Sequence, residues 1–200
     1  MKLFLANIQE VQFEHMSLIS PERAERALRY RLPADRKRCI AGGLLLRRFL
    51  GDAEVFTDEF GKPRTRGGVC FNLSHSGDWA LLAINDREVG CDIEQHQYID
   101  ALRIGKTVFT AREREALRAA PDRLGTFYQL WTKKEALLKC MGEGFRRAAK
   151  SVDVCGGSFE ENGDIFYLKT AAFADYTVSV CVKNASADFE FEFFEIPPLR

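Results

Sequence analysis

Gly90-Cys91-Asp92-Ile93-Glu94, inside the run E-V-G-C-D-I-E at 88–94, reads as a β-strand with two unlike faces. Side chains on a strand alternate, so Asp92 and Glu94 share one face while Cys91 and Ile93 share the other. Two carboxylates one strand step apart repel each other unless something positive sits between them. An isolated D-x-E is more often a solvated outer face, so this strand gains meaning only from what surrounds it.

Working outward, Val69 to Leu73 has strand character and leads into Ser74-His75-Ser76-Gly77, expected as a turn. Trp79 to Ile84 is an apolar run, and Asn85-Asp86 is expected to close a hairpin onto the 88–94 strand. Farther upstream, Met1 to Ile8 reads as a short apolar strand. Ser20-Pro21-Glu22-Arg23 is a helix start, with Ser as cap and Pro in the first turn, and this helix runs toward Tyr30 and stops near Pro33. A second helix spans about Asp35 to Leu50, with Ile40, Ala41 and Leu44 inward and Gly51 at its end.

Downstream, Thr110-Ala111-Arg112-Glu113 fits a capping box. A longer helix runs from about Arg123 to Met141 and ends at Gly142 or Gly144. Strands follow at Asp164–Thr170, Tyr176–Lys183 and Phe189–Glu195. The order helix-helix-strands occurs twice and predicts an α+β fold of two similar α/β lobes related by a pseudo-twofold. The lobes are expected at 1–98 and 99–200, with the site between them. No Pro/Gly/Ser-rich linker parts them, so they should pack as one unit.

Bulk composition excludes several classes. The chain has 200 residues, 46% hydrophobic and 29% charged, and its 29 Lys plus Arg balance 29 Asp plus Glu. Zero net charge gives no field toward nucleic acid or membrane, so any electrostatic recognition must be local. The apolar run at Leu3–Ala6 is too short for a secretory segment, and a cytoplasmic location is expected. Six scattered cysteines without a Cys-x-x-Cys spacing are expected to be free thiols.

Three further features carry chemistry. In Trp131-Thr132-Lys133-Lys134-Glu135-Ala136-Leu137-Leu138-Lys139, a step of about 100° per residue puts Phe127, Leu130, Trp131, Leu138 and Met141 on a buried stripe. Lys134 falls within it and must find an anion or reach water. Glu135 and Lys139 lie one turn apart on its flank, which as a surface pair contributes only about 0.2–0.5 kcal/mol. Glu135 beside Asp92 and Glu94 would instead make an oxygen-rich site suited to Mg²⁺. In Phe71-Asn72-Leu73-Ser74-His75-Ser76-Gly77 the hydroxyls and imidazole suit a phosphate. A Ser-His nucleophile pair is disfavoured there, because adjacent strand residues face opposite ways. Finally, Arg23, Arg26 and Arg29, with Arg36-Lys37-Arg38 and Lys62 in Gly61-Lys62-Pro63, could form an anion site, although singly each reads as solvated surface.

Taken together, G-K-P (61–63), F-N-L-S-H-S-G (71–77), V-G-C-D-I-E (89–94), F-T-x-x-E (109–113) and W-T-K-K-E-A-L-L-K-x-x-G-x-G (131–144) resemble the surfactin-synthetase-activating class of 4′-phosphopantetheinyl transferases. The resemblance implies the two-lobed monomeric form of that fold. It also implies an enzyme that moves phosphopantetheine from coenzyme A to a serine of an apo acyl or peptidyl carrier protein. It implies that Asp92, Glu94 and Glu135 hold Mg²⁺ against the coenzyme A pyrophosphate. Ser74 and His75 would meet the 3′-phosphate with Arg23 and Arg26, Arg38 would serve the same pocket, and Lys62 would line the adenine end. Lys139 would reach the pyrophosphate, Glu113 fills a further acidic position, and Glu135 or a metal-bound water would take the serine proton. Cys91 replaces a branched aliphatic on the face away from the metal. The competing expectations are a coenzyme A or carrier-protein binding module without catalysis, and a Mg²⁺-dependent nucleotide phosphohydrolase.

Overall fold

Leu3 and Leu5 point one way from the first strand while Phe4 and Ala6 point the other, and that alternation sets the layering of the molecule. The computed structural model describes residues 1–51, 53–142 and 147–199. Strand β1 (Lys2–Asn7) precedes helices α1 (Pro21–Arg29) and α2 (Pro33–Leu50), then a small hairpin of β2 (Val55–Thr57) and β3 (Pro63–Thr65). Strands β4 (Cys70–Ser76), β5 (Trp79–Asn85) and β6 (Val89–Gln95) follow. Helices α3 (Ala101–Val108), α4 (Ala111–Ala119) and α5 (Arg123–Met141) lead to β7 (Ser158–Glu161), β8 (Asp164–Phe173), β9 (Tyr176–Lys183) and β10 (Glu190–Phe194).

Two four-stranded sheets result, ordered β10-β1-β5-β4 and β6-β9-β8-β7. In each, the strand before the helices pairs antiparallel with the last strand of the following pair: β1 with β5, and β6 with β9. This shared β-helices-ββ order is the pseudo-twofold expected from the sequence. The 98/99 division, however, does not part the sheets. Strand β6 belongs to the second sheet, and β10 returns to lie parallel to β1 in the first.

Three apolar layers hold the molecule. Phe4, Ala6, Ala80 and Leu82 meet Ile40, Ala41, Leu44 and Leu45 of α2. Leu3, Leu5, Leu81 and Ala83 meet Val89, Cys91, Ile93, Val178, Val180 and Val182, sheet against sheet. Leu130, Ala136, Leu137 and Cys140 of α5 meet Phe166, Leu168 and Cys181. The order is therefore helix, sheet, sheet, helix. Among the described residues no helix is long and apolar enough to cross a membrane.

Three local expectations are corrected. Ser74, His75 and Ser76 continue strand β4, and the turn is confined to Gly77 and Asp78. Gly77 has φ of 51°, and a β-carbon there would press on Tyr176 and Gln95, so both conformation and space call for glycine. Asn85-Asp86 does not close a β-hairpin. Strand β5 is already paired on both sides, by β1 and β4, so β6 has no edge to join and passes to the other sheet. On α5, Trp131 and Met141 are only partly buried. The helix ends at Gly142, left-handed at φ 77°, and Gly144 lies outside the described residues.

Lys134 finds its anion. Its side chain and that of Glu113 are both 0% exposed, with Nζ 2.8 Å from Glu113 Oε2. The ammonium also donates to Ala149 O at 2.8 Å and Val152 O at 2.6 Å. Glu113 accepts from the Thr110 and Val154 amides, both at 2.8 Å, so the capping box and the buried pair are one network tying α4 and the 149–154 segment to α5. Removing one partner of such a pair strands the other charge in the core. Lys134→Met should therefore cost about 3–5 kcal/mol in urea unfolding. An unchanged unfolding midpoint would contradict this role.

Candidate active site

The site grows from the meeting of two sheet edges. Strands β4 and β6 are the terminal strands of their sheets, and they are joined by side chains instead of a backbone ladder. The Cys91 amide donates to Asn72 Oδ1 at 2.9 Å, the Ile93 amide to Ser74 Oγ at 3.4 Å and the Gln95 amide to Ser76 Oγ at 3.1 Å. Every second residue of β4 thus satisfies every second amide of β6, which answers the unpaired-edge problem of β6.

The same hydroxyls aim the carboxylates. Ser74 Oγ donates to Asp92 Oδ1 at 2.8 Å, and Ser76 Oγ donates to Glu94 Oε2 at 2.7 Å. Asp92 and Glu94 lie on the face of β6 turned to α5, opposite Cys91 and Ile93, as the alternation predicts. Helix α5 approaches closely because Gly90 has no side chain: a β-carbon there would overlap Ala136 O and Cys140 N. Trp131, Glu135 and Lys139, spaced at i, i+4 and i+8, share the helix face that meets these carboxylates. Trp131 Nε1 lies 3.4 Å from Glu94 Oε1. Lys139 Nζ donates to Asp92 Oδ1 at 2.6 Å, Ser74 Oγ at 3.2 Å and Cys91 O at 3.2 Å. Lys139 is therefore paired with the strand, not with Glu135 on its own helix.

The charges are unevenly met. Asp92 is 4% exposed, and its Oδ2 is buried with no hydrogen-bond partner among the described residues. Glu135 makes no side-chain hydrogen bond among the described residues. Burial pushes its carboxyl above its ordinary value, and Asp92 and Glu94 add to this against the pull of Lys139. Burial also raises Glu94, helped by Asp92 and opposed by Ser76, Trp131 and Lys139. Burial alone would lower Lys139, but Asp92, Cys91 and Glu135 outweigh it and hold the ammonium above its ordinary value. Among the described residues no three His, Cys, Asp or Glu side chains are grouped closely enough to bind a metal by themselves. The cation on Asp92 is Lys139.

The basic residues divide. His75 is exposed on the opposite side of β4 from Ser74, and desolvation, then Arg38 and Lys139, lower its imidazole. Arg38 Nε donates to Gly77 O at 2.8 Å and its NH1 meets Asp35 at 2.6 Å. Arg23 packs over Gly42 and donates from Nε to Cys39 O at 3.1 Å, while Arg26 is exposed one turn along α1. Burial, with Arg26 contributing, lowers Arg23. Arg38 and Lys139 thus act on His75, and Arg26 acts on Arg23, but among the described residues none of His75, Arg38, Arg23 and Arg26 makes a hydrogen bond or ion pair with Asp92, Glu94 or Glu135. Ser74 is buried in the seam, and the Lys62 ammonium is engaged by Glu88 at 2.7 Å and by the backbone carbonyls of Cys140 and Val89. Glu113 is committed to Lys134, away from these carboxylates. Sequence reasoning read Ser76 as a phosphate donor in a turn and gave Asn72 and Trp131 no site role; continuing the strand alternation through Ser76 would have placed Asn72 and Ser76 on the seam.

A family model described as the 4′-phosphopantetheinyl transferase superfamily matches residues 88–188. The 4′-phosphopantetheinyl transferase Sfp of Bacillus subtilis is 33% identical over 158 residues, 73% of this chain and 70% of that protein. The 4′-phosphopantetheinyl transferase psf-1 of Bacillus pumilus is 34% identical over 164 residues, 72% of this chain and 70% of that protein. A solved holo-[acyl-carrier-protein] synthase from Thermotoga maritima covers 48% of this chain and 62% of its own, at 15% identity and a TM-score of 0.39.

The unmet charge has a measurable consequence for stability. A carboxyl raised on folding holds its proton longer in the native than in the unfolded state. Its favourable contribution is complete below the ordinary glutamate range and is lost as pH rises through the raised value. Above that raised value the native protein carries the cost of ionised Glu135. Glu135→Gln should raise the urea midpoint of the ligand-free protein at pH 7, and the gain should shrink as the pH is lowered into the acid range. A less stable variant at pH 7 would contradict the electrostatic reading.

Proposed function

The chain belongs to the 4′-phosphopantetheinyl transferase superfamily, and from that premise we propose that the β4–β6–α5 seam is where it transfers phosphopantetheine from coenzyme A to a carrier-protein serine. The observation that carries the reading is the buried, unpartnered Asp92 Oδ2 beside Glu94 and Glu135. Three carboxylates with more negative charge than Lys139 can offset suit a divalent cation, and oxygen donors favour a hard one such as Mg²⁺. Asp92, Glu94 and Glu135 are the residues that would hold it, by drawing together from a spacing that is too wide for an ion as they stand here. When bound, Mg²⁺ supplies charge neutralisation to a diphosphate at this place.

The chain's own residues do the rest. Arg23, Arg26, Arg38 and His75 are the basic residues that take the 3′-phosphate end of coenzyme A in this reading. Lys139, fixed between Asp92, Ser74 and the Cys91 carbonyl, presents its ammonium to the pyrophosphate and stabilises the departing 3′,5′-ADP. Glu135, which makes no side-chain hydrogen bond among the described residues, takes the proton of the carrier serine hydroxyl. The serine oxygen attacks the β-phosphorus, a new oxygen–phosphorus bond forms, and the bond to 3′,5′-ADP breaks. Most of the catalysis is positioning and charge stabilisation, because little covalent chemistry is asked of the protein. In this reading the enzyme works as a cytoplasmic monomer on apo acyl or peptidyl carrier proteins.

Mixing the purified chain with coenzyme A, Mg²⁺ and an apo-carrier protein should add one phosphopantetheine mass to the carrier. Glu135→Gln should lower the rate by about 10²-fold or more, the scale of a lost general base, while coenzyme A binding stays measurable by calorimetry. A fully active Glu135→Gln variant would remove Glu135 from the chemistry. Breakdown of coenzyme A without a carrier would support a phosphohydrolase instead.

A further inference from the structure

Lys62 sits in the β2–β3 hairpin, far in sequence from the helix it touches. Its side chain is 6% exposed, with Nζ 2.7 Å from Glu88 Oε2. The other two acceptors are Cys140 O at 3.0 Å, in the last turn of α5, and Val89 O at 3.3 Å, at the start of β6. A helix's last turn leaves carbonyls without intrahelical partners, and a cation is their preferred neighbour. One ammonium therefore clamps the end of α5 to the beginning of β6.

The clamp is itself held rigidly. Lys62 N donates to Asp58 Oδ1 at 2.9 Å, and Arg64 Nε donates to Asp58 Oδ2 at 2.9 Å. Arg64 also pairs with Glu88, so both basic residues of the hairpin converge on the carboxylate that precedes β6. The clamped carbonyl, Cys140 O, belongs to the residue after Lys139. The clamped strand end lies three residues before Asp92. Between these points Gly90 lets the helix rest on the strand backbone.

We propose that Lys62 is a positioning residue for the transfer reaction: by tying the C-terminal turn of α5 to β6 it sets where Glu135 and Lys139 stand relative to Asp92. The proposal rests on the reading of the seam as the active site. It departs from the role that the resemblance implies, in which Lys62 lines the adenine end of coenzyme A. Lys62 also borders a hollow of about 200 Å³ shared with Pro63, Val69 and Phe71, so nucleotide contact is the specific alternative to be separated.

The two roles differ in kinetics. A group that touches the nucleotide equally in ground and transition states changes KM, while one that aligns reacting groups changes kcat. Lys62→Met should lower kcat about 10- to 100-fold, the scale of an ångström-sized misplacement. KM for coenzyme A, and its Kd by calorimetry without a carrier, should stay within about twofold of wild type. Glu88→Gln, which loosens the same ammonium, should show the same kcat-weighted defect in milder form. Lys62→Arg should restore part of kcat, and it carries the test with Glu88→Gln if Lys62→Met does not fold. A raised KM and Kd with kcat preserved would overturn the proposal in favour of nucleotide contact. Wild-type kinetics in Lys62→Met would also overturn it. A wild-type chain that binds coenzyme A but transfers nothing would instead refute the functional reading beneath it.

Discussion

Everything at the site depends on how two sheet edges are joined without a backbone ladder. Asn72, Ser74 and Ser76 accept the amides of Cys91, Ile93 and Gln95, and two of these side chains then donate to Asp92 and Glu94. A backbone ladder would have satisfied the amides and left the carboxylates unguided. Side-chain stitching does both jobs and fixes the acidic face of β6 at the line where the two lobes touch. Buried polar groups of this kind are costly when unmet, so the stitch also specifies one register between the sheets.

Helix α5 completes the arrangement through two different faces. One carries Lys134 into the core, where Glu113 and two carbonyls neutralise it and hold the helix to its own lobe. The other carries Trp131, Glu135 and Lys139 onto β6. The two adjacent residues Lys134 and Glu135 thus face an anchoring ion pair and the acidic seam respectively. The unbalanced negative charge falls on the second face, where Glu94 and Glu135 are both raised by burial and by neighbouring carboxylates. The same electrostatic source costs the ligand-free protein stability and is what the proposed cation would relieve.

Much of this was legible in the sequence because it follows from local periodicity. Strand alternation placed Asp92 and Glu94 together, and helical spacing put Lys134 where it needed an anion. Element order gave the two similar lobes. What the sequence could not show was long-range pairing. The passage of β6 to the other sheet depends on β5 being paired on both sides, and the return of β10 beside β1 joins residues nearly a whole chain apart. Ser74-His75-Ser76 looked like a turn because hydroxyl and glycine residues favour turns, but here the hydroxyls serve a neighbouring strand edge. For Lys62 the resemblance implied a nucleotide contact, and nothing local in Gly61-Lys62-Pro63 reveals the helix end beside it.

The central claim is that Asp92, Glu94 and Glu135 together receive a divalent cation that grips a diphosphate. Anomalous scattering from crystals grown with coenzyme A and Mn²⁺ in place of Mg²⁺ examines it most directly. The account requires one manganese peak within bonding distance of an oxygen from each of the three carboxylates and of the pyrophosphate. A pyrophosphate bound at the seam with the manganese elsewhere, or with Glu135 turned away from it, would contradict the account.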